Sequence, residues 1–135
     1  MTASNYLESK LINHVLGKTA YTMPGGVYVA LFTADPGEEG SLDDEVPSGV
    51  GYARQPVTAD MTASVDGSMS VNGSDHAFGP CANSDWGTLT HAALMDSGTI
   101  GAGNVLASVA LNASRVVKVG DDYKMPAGEI KLSFE

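Results

Sequence analysis

Val27-Tyr28-Val29-Ala30-Leu31-Phe32-Thr33 is the stretch whose reading decides the fold of this 135-residue chain. As a strand it sends Val27, Val29 and Leu31 to one face and Tyr28, Ala30 and Phe32 to the other, and both sets are apolar. Pro24-Gly25-Gly26 before it and Asp35-Pro36-Gly37 after it bound the run too tightly for an ordinary helix. The expectation is a central strand covered on both sides.

Around it the composition has the texture of an all-β chain: sixteen glycines and six prolines, with many Ser, Thr, Asn and Asp, punctuate short apolar runs. The length fits one domain, residues 1–135, burying roughly two-thirds of its unfolded surface. Seven Lys and Arg against sixteen Asp and Glu give a net charge of -9, which leaves no basic stripe for nucleic acid. Cys81 is the only cysteine, so no intrachain disulfide forms and no Cys/His metal cluster has enough ligands. It reads as a small buried filler. The first residues lack a basic segment followed by an apolar core, and no run approaches the ~20 apolar residues of a membrane span. A soluble protein without an export signal or membrane partner is expected.

Near the N-terminus, Asn5 and Glu8 have capping-box spacing, and Leu7, Leu11 and Val15, flanked by Ile12 and Leu16, form one apolar stripe. Gly17 supplies a left-handed C-cap, so a helix is expected over about 5–17. Its stripe has to lie on a sheet or against a neighbouring subunit. Further strands are read at 52–58, with Pro56 marking an edge or bulge, and at 68–71, 76–78, 88–95, 105–111, 115–119 and 129–134. Asn72-Gly73 suits a hairpin tip, Trp86 an anchor at a strand end, and Gly98 to Gly103 a hairpin loop rather than a phosphate loop, since no Lys-Ser/Thr follows. The fold class that results is mainly β: an antiparallel β-sandwich or barrel-like fold of about seven to nine strands with one short N-terminal α-helix.

Between 37 and 49 the chain carries Glu38, Glu39, Asp43, Asp44 and Glu45 without one base. Clustered carboxylates are what calcium requires, but the alternating acids, central Gly and terminal Glu of an EF-hand loop are missing, so the reading is a solvated acidic loop. If it meets anything, it meets a basic surface, and these five residues are the candidate partner contact.

The order of segments resembles a family of small tailed-phage virion proteins, described variously as tail-fibre-like or as head decoration (cement) proteins. The resemblance runs from the capped helix closing on Gly17-Lys18-Thr19-Ala20-Tyr21, through Leu31-Phe32-Thr33, Gly51-Tyr52-Ala53-Arg54 and Asp85-Trp86-Gly87, to Pro126-Ala127-Gly128-Glu129-Ile130-Lys131-Leu132. It implies a compact β-rich fold and a structural role in the bacteriophage virion. The favoured reading is a capsid decoration protein, made in the host cytoplasm, that clamps the major capsid protein lattice. The alternative is a tail or tail-fibre component acting in tail assembly or host attachment. A symmetric homo-oligomer, a trimer by preference, and contacts with other virion proteins are expected.

Enzyme readings are weak. Ser74-Asp75-His76 holds the residue types of a hydrolase triad, yet neighbours on a strand point to opposite faces and do not build its geometry. Cys81 with His91 lacks an oxyanion or nucleophile-turn signature, and His14, His76 and His91 are too scattered for a metal site. No catalytic, cofactor or metal site is expected.

Overall fold

The computed structural model describes residues 1–134. It holds one helix, α1 (Asn5–Val15), and nine strands: β1 (Thr2–Ala3), β2 (Tyr28–Phe32), β3 (Gln55–Pro56), β4 (Ser70–Val71), β5 (His76–Phe78), β6 (Gly87–Met95), β7 (Val105–Val117), β8 (Tyr123–Met125) and β9 (Lys131–Leu132). All pairing is antiparallel. The main sheet has the order β1-β7-β6-β2-β3, and two short ladders, β4 with β9 and β5 with β8, stand apart from it. The mainly β fold with one short helix is therefore what forms.

In β2, Val29, Ala30, Leu31 and Phe32 are all fully buried, as the alternation of two apolar faces requires. Val29 and Leu31 join the main core, where Leu89, Ala92 and Leu94 of β6 meet Phe78, Tyr123, Met125 and Ile130 from the ladder side. Ala30 and Phe32 join a smaller core on the opposite face with Ala93, Met95 and Val105, closed by Leu42. The sheet is thus covered on both sides, although β6 rather than β2 holds the middle position.

Several boundaries differ from expectation for local reasons. The helix cap is Ser4, one residue before Asn5: its Oγ accepts from the Leu7 N–H and donates to the Val105 carbonyl, which ties the helix start to β7. At the other end Gly17 takes φ +70, with Lys18 N donating to Asn13 O and Gly17 N to His14 O, a Schellman ending. Only the first half of the apolar stripe is covered. Leu7 is buried and Leu11 packs on the core, whereas Ile12, Val15 and Leu16 are exposed.

Residues 105–119 contain one long strand, not two. Both arms of β7 pair with β6, and the register passes from Leu89 opposite Arg115 to His91 opposite Ala110, so 111–114 bulge against Thr90 alone. Asn72-Gly73 is not a hairpin tip, because β4 pairs with β9 and β5 with β8. Instead Asn72 is buried; its amide nitrogen donates to the Ser74 and Pro126 carbonyls, and its oxygen accepts from Ile130 N. Only 131–132 of the expected last strand enters a ladder, and Phe134 is exposed. The glycine run after β6 does form the β6–β7 hairpin loop. Trp86 is buried and donates from Nε1 to the Val50 carbonyl at 2.7 Å.

Candidate functional site

Of residues 52–58 only Gln55–Pro56 joins the sheet. Tyr52 and Arg54, two apart and so on one side of an extended chain, turn inward instead. Gly51 precedes them at φ +81, where a Cβ would collide with the Pro80 carbonyl, so the turn into this segment requires glycine.

Arg54 meets Glu45 in a bidentate pair, Nε to Oε2 and Nη2 to Oε1, each at 2.7 Å. The side chains are 0% and 2% exposed. Tyr52 Oη donates to the same carboxylate at 2.8 Å, Gly101 N donates to Oε1 at 2.9 Å, and Arg54 Nη1 donates to the carbonyls of Ser97 and Ala102. Every charged atom is answered, as a buried pair needs. Burial, reinforced by the Glu45 charge, raises the Tyr52 phenol far above its usual range and keeps it a hydrogen-bond donor. The network fastens the β6–β7 loop to the end of the acidic segment.

Glu45 therefore stands apart from the other acids of that segment. It lies inside the molecule, engaged by Arg54, while Glu38, Glu39, Asp43 and Asp44 are exposed. A buried acid could be anticipated here from one signal: Arg54 is the sole Lys or Arg between Lys18 and Arg115. The rest of the segment is not a loose loop. Leu42 seals the smaller core, and Gly40, at φ +71, lies where a Cβ would come within 3.0 Å of the Val105 Cβ. Thr33 N donates to Asp44 O, and Asn5 holds it from the helix side, N to the Glu38 carbonyl and Nδ2 to Glu39 Oε1. Four carboxylates are thus presented on a fixed backbone.

The other polar constellations are structural in their geometry. Asp60 accepts from Ser74 Oγ at 2.7 Å through one oxygen and meets His76 Nε2 at 2.8 Å through the other. The serine is bonded to the acid, not to the histidine, which is not the serine–histidine–acid order of a hydrolase triad. Asp75 points away, to Lys124 and to Ala127 N. Hydrogen bonds from Ser74 first and His76 next hold the Asp60 carboxyl below its ordinary value of 3.8. A depressed native value contributes stability that is present above the unfolded value and lost as pH falls through the native one. Thermal melts from about pH 5 down to about pH 2 should lose less midpoint in Asp60→Asn than in the parent. Parallel slopes would contradict this.

Cys81 is a buried free thiol whose Sγ contacts the Ser84 carbonyl. His91 lies 3.9 Å from Asp35 Oδ2, and His14 Nδ1 accepts from Tyr21 N. Among the described residues no group of three or more His, Cys, Asp or Glu is placed to hold a metal ion, and no helix is long and apolar enough to cross a membrane.

What the geometry offers is surface: an exposed acidic segment anchored at Glu45 by a buried ion pair, on a small sheet protein. No curated protein matches the chain. The family described as podophage GP4 fiber I protein gp80 matches residues 2–133, and a match over nearly the whole length establishes that the chain belongs to it.

Proposed function

We propose that the protein is a component of a tail-attached fibre, where it serves assembly or host attachment. Family membership makes it a structural protein of the phage virion, and the description of that family as a fibre protein is the observation that carries the reading. It favours the fibre over capsid decoration. A role without catalysis goes with it, as does a symmetric homo-oligomer, three-fold by preference, in contact with other virion proteins.

Particles assembled without this chain distinguish the two locations. For a fibre component, heads withstand heating as well as those of complete particles while adsorption to host cells falls. Fragile heads with normal adsorption would overturn the reading.

Glu38, Glu39, Asp43 and Asp44 are proposed as the surface that steers the protein to a basic partner in the particle. Neutralising the four together as amides should slow incorporation and weaken its salt dependence while leaving the melting temperature close to that of the parent. Unchanged incorporation at every salt concentration would remove the acidic contact.

A further inference from the structure

The second half of α1 presents an apolar surface that the sheet does not cover. Ile12, Val15 and Leu16 are 57%, 79% and 64% exposed, and their spacings of three and four put them on one side of the helix. Their setting is firm. Ser4 ties the helix start to β7, and Leu7 and Leu11 pack on the core. Past Gly17 the chain is held by Lys18 N on Asn13 O and by Tyr21 N, which donates to His14 Nδ1. An exposed apolar stripe on a fixed helix marks an interaction surface.

Charge selects what can lie on it. The N-terminal end of the stripe is acidic: exposed Glu8 stands one turn before Ile12 on the same side, and Asn5, three residues earlier, holds Glu39 by its amide and Glu38 by its backbone. The C-terminal end carries exposed Lys18. From Ser9 to Ala34 the chain has no Asp or Glu, which lowers the repulsion that another copy of net charge -9 meets here. A copy laid antiparallel brings its Lys18 to Glu8 and its Glu8 to Lys18. A parallel copy instead sets Glu8, Glu38 and Glu39 against their own counterparts, which is repulsive.

We propose that α1 is a two-fold contact between copies of this chain, in which two helices pack antiparallel and Glu8 of each copy pairs with Lys18 of the partner subunit. That pairing puts the axis level with Asn13, midway between them. Ile12 is then one residue from the axis, and Val15 and Leu16 of each copy lie over Ile12 of the other. The contact is isologous and closes at two copies; within a three-fold assembly it joins two rings back to back, the dihedral arrangement. It does not depend on whether the chain sits on the fibre or on the head. The patch is small, so in free solution a dissociation constant of about 10–100 μM is expected.

The test uses the full chain. Sedimentation equilibrium from about 1 μM to about 1 mM should show a monomer–dimer equilibrium. Ile12→Ser/Leu16→Ser alters only exposed side chains, so it should raise the dissociation constant about thirtyfold or more while the melting temperature of the dilute protein stays that of the parent. Glu8→Lys and Lys18→Glu should each weaken the dimer about threefold to tenfold, and the two together should restore it, because the pairs re-form with their signs exchanged. A chain that stays monomeric over this range, trimers without dimers, or a combined charge variant no tighter than the single ones would overturn the proposal. So would a serine variant that dimerises like the parent. None of these results bears on fibre against head, which particles lacking the chain decide.

Discussion

Arg54→Met should destabilise the protein by about 3–5 kcal/mol, the cost of leaving a buried carboxylate without its partner. Glu45 would keep its bonds from Tyr52 and Gly101, but neither brings a positive charge, and the side chain is 2% exposed, so water does not replace the guanidinium. The Ser97 and Ala102 carbonyls lose their donor in the same step. Adding Glu45→Met to Arg54→Met should recover part of the loss, since an apolar pair leaves no orphan charge. Urea denaturation checks both variants. A double variant as unstable as Arg54→Met alone would mean that the loss comes from the β6–β7 loop carbonyls and not from the orphaned acid.

Phe32→Ala should cost about 3–5 kcal/mol by the usual measure of a truncated buried aromatic. Phe32 is the largest side chain of the smaller core, packed with Ala30, Ala93, Met95 and Val105 under Leu42. Alanine residues make up much of that wall and have no length with which to refill the space. The cavity would open beneath the acidic segment, so its amides should also exchange faster in this variant. A loss below about 1 kcal/mol would show that the segment settles into the gap, contrary to the fixed backbone described above.

β2 was legible because an apolar run bounded by turn residues has few alternatives, and both of its faces are buried as the alternation requires. The β6–β7 hairpin was legible for the same reason, since its glycines mark the loop locally. Long-range choices were not. Tyr52 and Arg54 have strand-like spacing, but the polar partners that pull them inward, Glu45 and the loop carbonyls, come from segments remote in sequence or nine residues away with no periodic signal. The helix stripe is apolar from Leu7 to Leu16, yet the sheet covers only its first half, a matter of where β7 and the core end. In the acidic segment the sequence displays charge but not depth. Five neighbouring acids look equivalent, and only the pairing with Arg54 separates Glu45 from Glu38, Glu39, Asp43 and Asp44.

The most direct measurement is imaging of intact particles that carry a compact label at the C-terminus of this chain. The label should appear on fibres that project from the tail, at positions repeated with the symmetry of that appendage. Label spread over the head, with none on the tail, would contradict the fibre assignment.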